Sequence, residues 1–392
     1  MTPAPATPAR PLFAFGALWF CYFAAIGAFN PYAPLWFKEL GFSTLAIGAI
    51  SSLQSWTRVI APYGWGWLGD HHGQRMRWVQ MGSLAAVVAA GGLLWARDFA
   101  LVAFFTVLLF LANGVVIPLS EATLARHLHT AEGMDSGRYG RVRMWGSIGF
   151  ISAVLLYGAV LQALGIDWFP WLVVLMYALL AVAAMRVPGA RDDAPSQAAA
   201  PPVSSVLRRP EVAWFFAALF CTVLAHTALY AFFSLYLDEL GYSKAMLGFL
   251  WAVSVLVEIV FFWAQGQFFG RLHPHRWMQW AAGVSVLRFG ATAAFASSPV
   301  VLVLAQALHA VTFAGQHAAC IVLINRYFPG PLRGRGQALY TTLGYGVSGV
   351  IGGVAGGALS TQFGFAAVFW AASAAAALGL VCAIAAQRCS GD

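Results

Sequence analysis

Charged residues are scarce in this chain. Asp, Glu, Lys and Arg make up 9% of its 392 residues, whereas soluble globular domains usually carry about 25%. Hydrophobic residues make up 60%, and the mean hydropathy is +0.74. This composition fits a protein whose solvent is a lipid bilayer and argues against a soluble domain.

Cysteine is also rare, and its few positions share no metal-ligand spacing. The five cysteines are Cys21, Cys221, Cys320, Cys382 and Cys389. Four of them lie in apolar blocks, where a thiol behaves as a small hydrophobic group. The sequence therefore predicts neither a disulfide framework nor a metal site.

Several catalytic and nucleotide-binding motifs are missing. The chain contains no GxxxxGK[ST] loop and no cytoplasmic domain large enough to hydrolyse ATP. It also lacks HExxH and GxSxG, which disfavours an integral membrane enzyme. We therefore predict a protein that is not an enzyme and has no cofactor, and any transport it performs must be driven by an ion or substrate gradient.

The apolar residues fall in blocks of about 20 to 25, the length that a helix needs to cross about 30 Å of hydrocarbon. Strands of a membrane barrel would be half as long. The predicted spans are 12–37, 44–67, 78–96, 99–124, 140–163 and 168–186, followed by 211–237, 242–269, 277–296, 299–326, 335–360 and 364–386. The first block is too long for the core of a signal peptide and is interpreted as a retained helix. The predicted fold is an all-α integral membrane protein with twelve transmembrane helices in two six-helix bundles.

Basic residues are sorted between alternate connections. Of the 22 Lys and Arg residues, 17 lie near the two termini or around the connections that follow the second, fourth, sixth, eighth and tenth predicted spans. The intervening connections hold only Lys38, Arg97 and Lys244. Because basic residues collect on cytoplasmic loops, both termini are predicted to be cytoplasmic. The net charge of +8 is therefore attributed to cytoplasmic connections, and nucleic acid is not predicted as a partner. We expect a multi-pass monomer in a bacterial-type inner membrane.

An internal repeat appears at an offset of 200 residues. Glu39-Leu40-Gly41 falls on Glu239-Leu240-Gly241, and Ser43 falls on Ser243, without a gap. The predicted domains are therefore an N-terminal half at 1–187, a Pro-, Ala- and Ser-rich cytoplasmic linker at 188–210 and a C-terminal half at 211–392. Transporters place their substrate near the midplane, where such repeats meet.

Ionisable side chains inside apolar helices cost about 2.5 to 3.5 kcal/mol on insertion scales and usually face a bundle interior or a transport pathway. Seven such residues are present: Arg58, Glu121, His226, Glu258, Arg288, His309 and His317. A carboxylate whose Arg partner changes between states can take up and release a proton. Glu258, Glu121, His317 and Arg288 are the candidates for proton coupling, and permanent structural pairs are the alternative.

Helix 10 is predicted to place His309, Phe313 and His317 on one face, since they are four residues apart. Helix 7 carries a similar stripe of Thr222, His226 and Tyr230, and Asn30 precedes a proline that interrupts helix 1. We name His226, Tyr230, Trp251, His309, His317 and Asn30 as candidates for substrate binding. The alternatives are satisfied buried histidines and aromatic residues that face lipid.

The connection after helix 2 resembles a loop pattern of the major facilitator superfamily, GxLaDrxGrkxxl. It runs from Gly66 to Arg77 and contains Asp70, Gly73 and Arg75. Asp70 beside the start of helix 3 and the basic residues can form a charge cluster that holds one conformation, and the glycines allow a tight turn. Gly66, Asp70, Gly73 and Arg75, together with Arg58, are the predicted gating residues.

Helices 4 and 5 sharpen this resemblance. Pro118-Leu119-Ser120-Glu121-Ala122 and Gly140-Arg141-Val142-Arg143-Met144-Trp145-Gly146 are similar to the PxxEA and GRxRMxG segments of the lactose permease branch. There the Glu and the second Arg contact the sugar, which implies substrate-binding roles for Glu121 and Arg143. The pattern resembles the 3-phenylpropionate permease group over essentially the whole chain. Cys320 stands where the lactose permease pattern places an acidic residue after its histidine, so a proton acceptor must lie elsewhere.

The function predicted from these features is proton-coupled symport of a small organic solute by alternating access, with an aromatic or aliphatic carboxylate favoured. A proton-coupled sugar or nucleoside symporter and a proton-driven drug exporter are alternatives within the same class. A non-transporting receptor and a membrane enzyme are the alternatives from other classes.

Overall fold

The computed structural model describes residues 9–72, 74–130, 133–189 and 203–391. The helices of the first half are α1 (Ala9–Phe29), α2 (Ala33–Glu39), α3 (Thr44–His72), α4 (Arg75–Gly92), α5 (Phe99–Asn113), α6 (Val116–His127), α7 (Ser136–Leu164) and α8 (Phe169–Arg186). A 3-10 turn, Ile166–Trp168, precedes α8. Two short strands, β1 (His129–Thr130) and β2 (Gly133–Met134), pair antiparallel between α6 and α7.

The second half continues as α9 (Ser204–Leu207), α10 (Pro210–Thr227), α11 (Phe233–Glu239), α12 (Lys244–Phe268), α13 (Pro274–Phe295), α14 (Pro299–Ala307), α15 (Gln316–Tyr327), α16 (Arg333–Leu339) and α17 (Ser348–Ser390). Three π-helical segments interrupt it: Ala228–Phe232, Ala310–Gly315 and Tyr340–Val347. Two 3-10 turns, Phe269–Arg271 and Gly330–Leu332, follow α12 and precede α16.

The number of long helices agrees with the prediction. Within the described residues, eight helical stretches are long and apolar enough to cross a membrane. The last of them, Arg333–Ser390, is broken by a kink at Gly364, where φ is 77°, so that it comprises two helices. With α3, α4 and α13, which are 29, 18 and 22 residues long, the described chain contains twelve long helical segments.

The internal repeat is visible in the backbone. Gly41 and Gly241 both end a helix with φ of 81°, a left-handed conformation that glycine adopts without a steric penalty. Ser43 accepts a hydrogen bond from the Ala46 amide at 3.2 Å, and Ser243 caps α12 in the same way at 3.1 Å. Equivalent sequence therefore forms equivalent helix ends in the two halves.

The chain divides into two compact units, which differ from the halves expected from sequence. The first contains the described residues of Met1–Phe29 and Ile60–Ser196, and the second contains those of Asn30–Val59 and Gln197–Asp392. This division follows spatial packing, and the repeat boundaries of 1–187 and 211–392 stay a prediction. Of the predicted linker, residues 190–202 lie outside the described part of the chain.

Within the first unit, α1 packs on α7 and α8, and α4 packs on α5 and α8. Within the second unit, α10 and α13 both pack on α17. The segment 30–59 belongs to this second unit. Lys38 there forms a 2.7 Å ion pair with Asp238, the residue at its equivalent position 200 residues later.

Candidate functional site

A network of buried polar side chains lies in the second unit, centred on Arg288 of α13. This residue is 1% exposed. Its Nη1 donates to Nδ1 of His309 and to Oγ1 of Thr312, both at 2.9 Å, and its Nη2 donates to Oε1 of Gln306 at 2.9 Å. Gln306 and Thr312 are also buried. The guanidinium is thus held by three uncharged side chains from residues 306–312, within the tenth predicted membrane span.

The bond from Arg288 determines the tautomer of His309. A guanidinium has only donors, so Nδ1 of His309 must accept and the ring proton must be on Nε2. That Nε2 lies 3.9 Å from Oε2 of Glu258 on α12. The imidazole therefore lies between a buried cation and a carboxylate, and its proton faces the carboxylate.

A second histidine is fixed by the same network. Nδ1 of His226 donates to the carbonyl oxygen of Thr222 at 2.8 Å, which leaves Nε2 as the acceptor. Nε2 lies 3.3 Å from Oγ1 of Thr312. With a neutral ring at His226, Thr312 accepts from Arg288 and donates to Nε2 of His226.

Aromatic rings surround these polar groups. Tyr230 stacks on Trp251 with ring centroids 6.1 Å apart, and Phe313 lies between His309, at 4.9 Å, and His317, at 6.3 Å. Sequence periodicity placed the last three residues on one face, and the structure shows them as a continuous stack. It occurs although residues 310–315 are π-helical, which the 3.6-residue period did not predict.

At its His317 end, this stack contacts the hydroxyl groups of two tyrosines. Nδ1 of His317 lies 2.7 Å from the hydroxyl of Tyr340, which lies 3.1 Å from the hydroxyl of Tyr345. These groups border a small cavity of about 10 Å³, which has room for roughly one water-sized group. The cavity is lined by Leu219, Val223, His226, Tyr230, Thr312, Phe313, Gln316, His317, Tyr340 and Tyr345.

The first unit contains a separate polar cluster around Glu121 of α6. The hydroxyl of Tyr139 donates to Oε1 of Glu121, and Nε1 of Trp19 donates to Oγ of the adjacent Ser120 at 3.1 Å. Trp19 and Tyr139 also meet edge to face at 5.9 Å. Sequence reasoning missed Trp19 and Tyr139 as members of this cluster, although Tyr139 is four residues before Arg143 and so shares its helix face.

Arg143 lies beside this cluster and contacts aromatic faces. Its guanidinium carbon is 4.5 Å from the ring centroid of Phe23 and 5.9 Å from that of Trp19, which are cation–π distances. A Cβ at Gly146 would lie 2.5 Å from Cδ2 of Phe23 and 3.0 Å from Nη1 of Arg143. The second glycine of the GRxRMxG segment therefore provides room for the ring of Phe23 and for the Arg143 side chain beside it.

Asn30 and Arg58 lie in the part of the second unit that comes from the first half of the sequence. Oδ1 of Asn30 accepts from Nε2 of Gln54 at 3.0 Å. Arg58 is exposed and lies within electrostatic range of Tyr230 and Tyr345. Tyr230 lies within electrostatic range of Glu258, Arg58 and Arg288.

The predicted gating loop differs from the expectation. Gly66 lies inside α3, which continues to His72, so it does not form a tight turn. Gly69 is also helical, and a Cβ there would lie 2.9 Å from Cδ2 of Leu119, so its role is close approach to α6. Arg75 begins α4. Gly73 and the side chain of Asp70 lie outside the described residues.

Twelve long helical segments in the described chain, together with the charged groups and the cavity of the second unit, are typical of a multi-pass membrane transporter of the major facilitator type. The sequence matches the model of the "MFS_1 like family" over residues 12–371, and the chain belongs to this family. The predicted fold class and the prediction of a non-enzyme are thereby confirmed. The protein lies in a lipid bilayer and has a small molecule as its substrate.

Two relatives align with almost the entire chain. A "Probable 3-phenylpropionic acid transporter" of Escherichia coli (strain K12) is 28% identical over 365 residues, which is 90% of this chain and 92% of the relative. A "Maltose permease" of Geobacillus stearothermophilus is 29% identical over 372 residues, or 91% and 89% of the two chains. These matches support the branch of the superfamily that the sequence motifs indicated.

Solved structures of other transporters share the fold. A mutant of the nucleoside transporter NupG superimposes with a TM-score of 0.84 at 17% identity, covering 96% of this chain and 99% of that one. A POT family transporter in complex with a thioalcohol-conjugated peptide superimposes with a TM-score of 0.79 at 11% identity, covering 97% of each chain. At these identities the similarity concerns the fold alone.

Proposed function

We propose that this transporter is a proton-coupled symporter of a small organic carboxylate, with an aromatic carboxylate favoured. The observation that carries the proposal is Arg288, a buried cation whose three side-chain acceptors are all uncharged. Burying a charge without an opposite charge in contact is costly. A substrate carboxylate in bidentate contact with the guanidinium would supply that charge.

Proton coupling follows from the position of His309 between Arg288 and Glu258. When a substrate carboxylate takes the guanidinium donors, Nδ1 of His309 loses its donor and can accept a proton. The imidazolium that forms is stabilised by the substrate anion on one side and by the Glu258 carboxylate on the other. Proton and carboxylate thus favour each other's binding and cross the membrane together.

The preference for an aromatic substrate is supported by the stacked rings beside Arg288. Tyr230 and Trp251 offer flat apolar faces, and Phe313 lies next to His309. The E. coli relative is named for 3-phenylpropionic acid, an aromatic carboxylate. An aryl carboxylate could therefore place its ring against these faces and its carboxylate on Arg288.

A neutral sugar or nucleoside is the second candidate, and the Glu121 cluster supports it. Glu121, Tyr139 and Trp19 present an acceptor, a hydroxyl and an indole face together, which suits hydroxyl groups on a ring. The Geobacillus relative is named as a maltose permease. In this case Arg143 would donate to the solute, and Arg288 would serve only in proton coupling.

Uptake into proteoliposomes distinguishes these candidates. We expect 3-phenylpropionate to accumulate only when the outside is more acidic than the interior, and a protonophore to abolish the accumulation. Accumulation of maltose or uridine in its place would support the second candidate. Binding of 3-phenylpropionate without uptake under any gradient would contradict transport and indicate a receptor. The proposal further places the protein in a bacterial inner membrane, as a monomer with both termini in the cytoplasm.

A further inference from the structure

The cavity of the second unit combines aromatic walls with one unsatisfied polar atom. Its walls include the rings of Tyr230, Phe313, Tyr340 and Tyr345. Gln316 also lines it and is 5% exposed. Small-molecule sites have this composition, mostly apolar and aromatic with a few convergent polar groups.

The amide oxygen of Gln316 has no hydrogen-bond partner in the described part of the chain. A buried acceptor without a donor is unfavourable and is rare in folded proteins. The amide oxygen of Gln306, two and a half turns earlier on the same helical segment, accepts a hydrogen bond from Arg288. The acceptor without a donor therefore belongs to Gln316, which lines the cavity, and a ligand with a donor group would satisfy it.

All three π-helical segments of the described chain supply side chains to this one cavity. Ala228–Phe232 contributes Tyr230, Ala310–Gly315 contributes Thr312 and Phe313, and Tyr340–Val347 contributes both of its tyrosines. π-helical turns are rare and are frequently found at functional sites. Their convergence points to ligand binding independently of Gln316.

We propose that the cavity is a subsite for a hydroxyl group on the substrate's ring, so that the favoured cargo is a hydroxylated aromatic carboxylate. This inference rests on the proposed function, because it takes the substrate carboxylate to be held by Arg288. Thr312 contacts Arg288 and also lines the cavity, and Gln316 follows it by four residues, about one helical turn along the π-helical segment. A phenyl ring spans that distance, and its hydroxyl donates to the Gln316 oxygen.

The test compares binding of 3-phenylpropionate with binding of its 3-hydroxyphenyl and 4-hydroxyphenyl analogues to the full-length purified protein. We expect at least one hydroxylated analogue to bind about tenfold more tightly, because it supplies the missing donor. Gln316→Met, which keeps the side-chain length but removes the acceptor, should reduce this preference to less than about threefold.

Gln279→Met is the matched control. Gln279 donates to Gln387 at 2.7 Å and is not among the residues that line the cavity, so this variant should keep the hydroxyl preference. Equal binding of all three carboxylates by the wild type would overturn the subsite and leave the proposed function intact, and this comparison requires no variant to fold. Retention of the preference by Gln316→Met would also overturn it. Absence of binding by every carboxylate would instead contradict the proposed function on which the subsite rests.

Discussion

At the residue scale, the chemistry of the second unit depends on what a guanidinium can and cannot do. Arg288 donates hydrogen bonds but cannot accept them or readily lose its proton. Its contact with His309 therefore fixes that ring with its proton toward Glu258. The Thr222 carbonyl orients the ring of His226, and Thr312 connects this second histidine to Arg288.

Glu258→Gln should uncouple transport from the proton gradient. The amide keeps the size of the side chain but cannot stabilise an imidazolium on His309 through a negative charge. We expect uphill uptake to fall at least about tenfold while exchange of labelled for unlabelled substrate continues, because each unit of pKa is a tenfold change in protonation. Glu239→Gln, at an exposed position at the end of α11, is the control and should behave as the wild type. Unchanged pH-driven accumulation by Glu258→Gln would exclude this role.

Arg288→Lys should weaken carboxylate binding although the charge is kept. An ammonium cannot present the planar fork that contacts a carboxylate in a bidentate way while its remaining donors still reach Thr312 and Gln306. We expect the dissociation constant for 3-phenylpropionate to rise by about tenfold to a hundredfold, as measured by isothermal titration calorimetry. Arg271→Lys, at an exposed position in the connection between α12 and α13, should have no effect. Wild-type affinity in Arg288→Lys would place the carboxylate elsewhere.

At the element scale, α3 and α17 approach each other through glycines within the second unit. A Cβ at Gly357 would lie 2.9 Å from the Cα of Leu45 and 2.9 Å from the carbonyl oxygen of Thr44. Ser52 donates across the same contact to the Val350 carbonyl at 2.8 Å. Small residues that allow backbones to approach are typical of helix contacts in membranes.

Gly357→Ala should therefore destabilise this arrangement. The added methyl meets backbone atoms, which cannot move aside as the end of a flexible side chain can. We expect a loss of about 1 to 3 kcal/mol in the free energy of unfolding, seen as a lower melting temperature in detergent. Gly266→Ala on α12 is the control, because a Cβ there would meet nothing within 4 Å. An equal melting temperature for Gly357→Ala and the wild type would contradict the tight contact.

At the scale of the whole molecule, the sorted arginines predict that both termini lie in the cytoplasm. Cys389 near the C-terminus is exposed, Cys21 is half-buried, and Cys221, Cys320 and Cys382 are buried. A membrane-impermeant maleimide should consequently label inverted membrane vesicles and leave intact cells unlabelled. Cys389→Ser should remove most of the labelling. Strong labelling of Cys389 in intact cells would reverse the predicted orientation.

The sequence by itself determined the class of protein, the number of long helices and the repeat. Block length and hydropathy report helix crossings directly, because the bilayer requires about 20 apolar residues for each. The offset of 200 residues was equally informative, since Gly41 and Gly241 adopt the same left-handed turn and Ser43 and Ser243 form the same cap. The ionisable residues of the apolar helices could be identified individually, because charge in an apolar helix is conspicuous.

Only the tertiary structure decided which of these residues meet. Arg288, His309 and Glu258 come from three different helices, and no local spacing reveals that the imidazole lies between the two charges. Local spacing also did not reveal that Tyr139 and Trp19 lie in the Glu121 cluster, because their contacts join different helices. The π-helical segments were also invisible to sequence periodicity, because packing selects them over the α-helical hydrogen bonds that the same residues could form. Side-chain contacts between distant helices depend on how the helices pack, and a linear pattern contains no record of that packing.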